Sequence, residues 1–149
     1  MVSRAVLLDA GPLGLASNPG RSDAAAECAR WLRDLVAGGT RVLVPEITDY
    51  EVRRELLRAG RAAGLARLDA LADALEYLPI TTGAMRKAAE LWAEARRAGR
   101  PTAGAESLDA DVILAAQALT LEADEVVVAT TNVDHLGRYV TATKWAEIG

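Results

Sequence analysis

A chain of 149 residues with a formal net charge of −4 can build one domain whose core stands without staples, so a single domain over 1–149 is expected. Cys28 is the only cysteine, which excludes an intrachain disulfide and fits a reducing compartment. The short apolar run before Asp9 is neither a signal peptide nor a membrane span, so the expected chain is soluble and cytoplasmic, with no membrane partner.

The apolar run 5–8 leads straight into Asp9, and Gly11 and Pro12 follow as turn residues. A near-continuous run of this length reads as a strand buried on both faces. Ser22 then caps a helix whose stripe is Ala24, Cys28, Trp31, Leu32 and Leu35, stopped by Gly38 and Gly39. A short strand over 41–44 is closed by Pro45, and a helix over 46–58 ends before Gly60. Leu65, Leu68, Leu71, Ala72 and Leu75 mark another helix, and 78–81 reads as a short extended piece. Met85, Ala88, Ala89, Trp92 and Ala95 give the next stripe, followed by a loop over 99–106. An Ala-rich helix over 108–121, a buried strand over 125–130 and one or two short strands within 139–148 complete the chain.

Buried β-branched runs alternating with amphipathic helices imply an α/β fold, a parallel sheet with helices on both faces. In such a fold the C-terminal ends of strands and the N-terminal ends of neighbouring helices share one edge, where ligands bind. Asp9 ends the first strand, Glu51 lies in the first two turns of the helix over 46–58, Asp109 and Asp111 open the helix over 108–121, and Asn132 and Asp134 follow the strand over 125–130. Topology alone brings these oxygen donors to one edge. Close carboxylates resist ionising together unless a cation compensates them, and hard oxygen donors without thiolates or a histidine cluster suit Mg²⁺ or Mn²⁺. The single histidine, His135, cannot build a His-rich zinc site and is assigned a structural or substrate-facing role.

Each residue also has an ordinary local explanation. Asp9 can start a turn before Gly11 and Pro12. Glu51 can close a capping box with Thr48, unless the helix already begins at Pro45 or Glu46. Acids in a first helical turn favour the helix dipole. Asp111 stands one turn before Ala115, in line with an inward stripe, whereas Asp109 points away as an outer residue or cap.

A uniformly acidic surface is a poor partner for nucleic acid, but the charge here is unevenly spread. Arg53, Arg54, Arg58, Arg61 and Arg67 are interrupted by Glu55 alone, whereas 101–137 contains no Lys or Arg. The basic run is either a solvated helix face or a phosphate-binding flank beside an acidic pocket.

Four segments, VLLDAGPL (6–13), VPEITDYEVRRELL (44–57), LDADVILAAQAL (108–119) and VVVATTNVDHL (126–136), together resemble the PIN-domain ribonucleases, in particular the VapC-type toxins of toxin–antitoxin pairs. That resemblance implies a PIN-like three-layer sandwich with a central parallel sheet of about five strands. It implies a Mg²⁺- or Mn²⁺-dependent endoribonuclease, with Asp9, Glu51 and Asp111 as catalytic and metal-holding residues and Asn132 or Asp134 completing the metal site. Thr130 and Asn132 fall on the family's T-x-N position. Arg53, Arg54 and Arg58 are the candidate RNA contacts, and the implied partners are RNA, a small antitoxin protein and a second copy in a homodimer. Ala10 and Gly11 replace the hydroxyl or amide common after the first Asp, and His135 stands where an acid is often found. These departures keep open a weak or inactive PIN-like module that binds RNA or protein.

Overall fold

The computed structural model describes residues 3–18, 20, 22–99 and 105–149. Strand β1, Arg4–Leu8, forms the centre, with Ala5, Val6, Leu7 and Leu8 withdrawn from solvent. Successive strand side chains point to opposite faces. Accordingly, Val6 and Leu8 belong to one apolar core and Ala5 and Leu7 to the other.

Strands β2 (Arg41–Pro45) and β4 (Glu125–Thr130) flank β1, with β3 (Glu76–Leu78) outside β2 and β5 (Ala142–Lys144) outside β4. Every pairing is parallel, and the order is β3-β2-β1-β4-β5. Helices α1 (Ala10–Ser17), α2 (Asp23–Ala37) and α4 (Ala62–Ala74) send Leu13, Leu32 and Leu68 into the core on the Val6 face. On the other face, α6 (Ala105–Leu119) contributes Ala110, Leu114 and Ala118. Helix α5 (Thr82–Arg97) packs against α6 through Ala84, Ala88 and Leu91. Helix α3 (Glu46–Arg58) lies between the layers, with Ile47 in one core and Val52 in the other. The expected three layers and five parallel strands are therefore present. No described helix is long and apolar enough to cross a membrane.

The local expectations hold where side-chain chemistry is unambiguous. Ser22 caps α2 by accepting from the Ala25 N–H at 3.2 Å. Gly60 follows α3 with φ +66°, a conformation that L side chains rarely adopt.

Three expectations need correction. Asp9-Ala10-Gly11-Pro12 is the start of helix α1 rather than a turn, because proline is tolerated where a helix has not yet used its N–H groups. The short strand lies over Glu76–Leu78 instead of 78–81, since pairing with β2 selects Tyr77 opposite Val44. Helix α6 begins at Ala105, three residues early, so Asp109 and Asp111 occupy its second turn and do not open it. The tail holds one short strand, β5, as expected within 139–148, and then a 3₁₀ turn, Trp145–Glu147, whose Trp145 ring meets Trp31 at 5.4 Å between centroids. A further one-turn helix, α7 (Val133–Leu136), follows β4. The loop expected over 99–106 lies outside the described residues across 100–104.

Helix α3 begins directly after Pro45 with no side-chain cap of its own. Buried Gln117 substitutes from α6, accepting weakly from the Ile47 N–H at 3.4 Å and donating to the Leu78 carbonyl at 2.8 Å. Thr48 is then the third residue of the helix and fully buried, and its hydroxyl has no hydrogen-bond partner among the described residues. A capping box with Glu51 is excluded by this geometry. An orphaned buried hydroxyl costs about 1–3 kcal/mol. Thr48→Val, of nearly the same shape, is therefore expected to raise the melting temperature by about 3–10 °C for a chain of this size. Calorimetry checks this, and a lowered midpoint would count against the orphaned hydroxyl.

Candidate active site

The strand order runs outward from β1 through β2 to β3, then resumes on the other side with β4 and β5. The C-terminal ends of β1 and β4 thus bound a topological switch point, the crevice where parallel sheets bind ligands. Asp9 stands at the end of β1 and is held from several sides. Its backbone N–H donates to the Ala129 carbonyl at 2.9 Å. One carboxylate oxygen accepts from the Ala10 N–H at 2.8 Å, which caps α1, and the other accepts from the Thr130 hydroxyl at 2.8 Å. Buried Thr130 in turn accepts from the Asn132 N–H at 3.1 Å. Asp9 therefore has a local role and still presents its charge to the crevice.

Glu51 arrives from α3 and Asp111 from α6, both partly buried. Burial first, and then the negative charge of Asp9, push the Glu51 carboxyl up to about 7 against an opposing pull from Arg54, with a smaller push from Asp111. Burial and then Asp9 push Asp111 up to about 6, opposed by His135 and Arg138. Asp9, Glu51 and Asp111, from three elements, thus lie near enough for their charges to act on one another. Among the described residues, no group of three or more acidic, histidine or cysteine side chains is placed to hold a metal ion. An open carboxylate set still fits Mg²⁺, which keeps several waters and is commonly held by one or two carboxylates.

The remaining candidates divide. Asn132 caps α7, its side-chain oxygen accepting from the Asp134 N–H at 3.0 Å, and Asp134 is exposed. The neighbour of Asp111 is instead His135, whose Nδ1 lies 3.8 Å from an Asp111 oxygen. Asp109 is exposed and lines a groove with Met85 and Trp92, away from Asp9 and Glu51. Arg53 is bound by Asp49 at 3.1 Å and Asp69 at 2.8 Å, with the Tyr77 hydroxyl donating to Asp49 at 2.7 Å. Arg58 pairs with Glu55. Of the three candidate RNA-contacting arginines, Arg54 alone faces the carboxylates, lining a groove with Ala10, Ser17 and Glu51. Sequence reasoning missed Arg138. Its signal was its position as the first basic residue after the stretch 101–137 without any.

A family model described as the PIN domain matches residues 7–139. Among solved structures, the chain is similar to VapBC2 of Rickettsia felis bound to a promoter DNA fragment, with 16% identity, a TM-score of 0.70, and 95% of this chain and 98% of that one covered. It is also similar to VapBC-1 of nontypeable Haemophilus influenzae, with 17% identity, a TM-score of 0.68, and coverage of 96% and 99%. VapC20 of Mycobacterium tuberculosis, a toxin that cleaves the sarcin–ricin loop, gives 15% identity, a TM-score of 0.64, and coverage of 91% and 96%. No curated protein matches the sequence.

Proposed function

The chain belongs to the PIN-domain family, and from that premise we propose that it is a Mg²⁺- or Mn²⁺-dependent endoribonuclease and the toxin of a toxin–antitoxin pair. The observation that carries the reading is the meeting of Asp9, Glu51 and Asp111 at the switch point, with burial and mutual repulsion raising the latter two. A pocket so charged is complementary to a cation, and so to a phosphate approaching with it. Asp9 and Asp111 hold the ion, and Glu51 orients the attacking water and takes its proton. When bound, the ion lowers the pKa of that water and offsets the charge developing on the phosphate. Thr130 fixes the carboxylate of Asp9, so the site is set before substrate arrives.

Arg54, beside Glu51, and Arg138, beside Asp111, flank the pocket and are assigned to the RNA backbone. Arg53 and Arg58 are paired with acids. The VapBC neighbours favour a small antitoxin as inhibitory partner, and a homodimer and a cytoplasmic location complete the reading.

The test is to incubate the purified chain with mixed RNAs, with and without Mn²⁺, and to sequence the new ends. Discrete ends that require the ion are expected. Intact RNA under all conditions would leave an inactive PIN-like binding module.

A further inference from the structure

Tyr50 is 56% exposed, although it directly precedes Glu51 on α3. An aromatic ring left in water forgoes the burial that ordinarily stabilises it. The Arg54 guanidinium, one turn further on, lies over the ring at 5.0 Å from its centroid, a cation–π pair. Arg54 also lines a groove with Glu51, whereas Tyr50 borders a second cleft, so the pair stands between the two. That cleft, of about 450 Å³, is lined by Tyr50 with Ile47, Tyr77 and Ile80 and by the charged Glu46, Asp49 and Arg53.

We propose that Tyr50 and Arg54 form a stacking platform for one unpaired nucleobase of the substrate strand, next to the phosphate that the carboxylates address. This rests on the ribonuclease reading above. A strand whose phosphate is drawn to a cation among the carboxylates passes along α3, and the exposed ring and guanidinium offer a flat surface there. Base stacking on such a surface tolerates any sequence, because every base has a π-face. Bases inside a duplex are already stacked on each other, so the platform selects single-stranded or looped RNA.

The experiment titrates the intact protein into a single-stranded RNA oligonucleotide carrying 2-aminopurine. Ca²⁺ replaces Mg²⁺, because its looser coordination suits binding better than hydrolysis. Saturable quenching of the fluorescence is expected with wild type. Tyr50→Leu is expected to weaken the apparent affinity about 5- to 150-fold, the range for loss of one base–aromatic stack. Tyr50→Phe, which keeps the ring, restores the quenching, and the same oligonucleotide in a duplex is not quenched. Thermal melting verifies that the exposed position leaves the fold unchanged. Equal affinity of wild type and Tyr50→Leu, or no quenching by wild type, would overturn the proposal and leave the ring to a protein partner. Quenching that depends on Tyr50 in a protein that cleaves no RNA would support the platform and count against the ribonuclease reading.

Discussion

Asp9→Asn and Asp111→Asn are each expected to reduce RNA cleavage by about 10²–10³-fold or more, the scale of losing one electrostatic element of a preorganised site. Asparagine keeps the size of the side chain and removes the charge that a divalent ion requires. The fold should survive at position 9 for a specific reason. An asparagine oxygen can still accept from the Ala10 N–H, and the Thr130 hydroxyl, displaced from the carboxylate, has the Asn132 carbonyl as a second acceptor at 3.1 Å. Glu51→Gln should lose activity too, since Glu51 has no capping role to fall back on once α3 starts at Glu46. Asp109→Asn and Asp134→Asn, both exposed, should retain most of the activity. Single-turnover cleavage assays, with circular dichroism to verify folding, decide the matter. Near-wild-type rates for Asp9→Asn would reduce Asp9 to a helix cap.

The metal-free protein is expected to melt higher at pH 5.5 than at pH 8. The folded values of Glu51 and Asp111, about 7 and 6, lie above their ordinary values of 4.5 and 3.8. Above pH 7 both are ionised in the folded state and the full cost of their repulsion and burial is present. As pH falls through 7 and then 6, the folded state takes up protons that the unfolded chain still refuses, and stability rises until the unfolded groups titrate near 4.5 and 3.8. Both groups remain partly open to water, so a gain on the order of 1–3 kcal/mol is expected, or about 3–10 °C. Millimolar Mg²⁺ or Mn²⁺ at pH 8 should recover a similar amount, because an ion bound only to the folded state stabilises it by mass action. Asp9→Asn should shrink both effects by removing one of the repelling charges. Scanning calorimetry at the two pH values, with NaCl at matched ionic strength, provides the measurement. A flat pH response would separate the carboxylates, and equal shifts in NaCl and MgCl₂ would mean screening alone.

The candidate site is partly legible in the sequence, because strand ends and helix starts in a parallel sheet share an edge whatever the loops do. Asp9, Glu51 and Asp111 could be assigned on that rule, and Asp109 set aside by helical facing. Arg138 could not, since its approach to Asp111 depends on how the chain turns after α7. The roles of Arg53 and Arg58 were equally hidden. A run of arginines reads as a basic surface, but Asp49, Asp69 and Glu55 already hold two of them.

The sequence by itself determined the class of fold and the chemistry available to it. The apolar runs 5–8 and 125–130, the stripe through Cys28, Leu32 and Leu35, and the glycines after α2 and α3 are local signals, set by burial period and backbone sterics. Only the tertiary structure decided where short elements begin. Helix α1 starts at Ala10 because Asp9 caps it and Leu13 and Ala16 find a core to enter, contacts that outweigh the turn preference of Gly11 and Pro12. Strand β3 takes its bounds from β2, and α3 takes its first hydrogen bond from Gln117, seventy residues away. Above all, the raised carboxylates of Glu51 and Asp111 exist only once the fold has drawn them beside Asp9 and away from water. Desolvation and Coulomb repulsion depend on distance in space, which spacing along the chain does not contain.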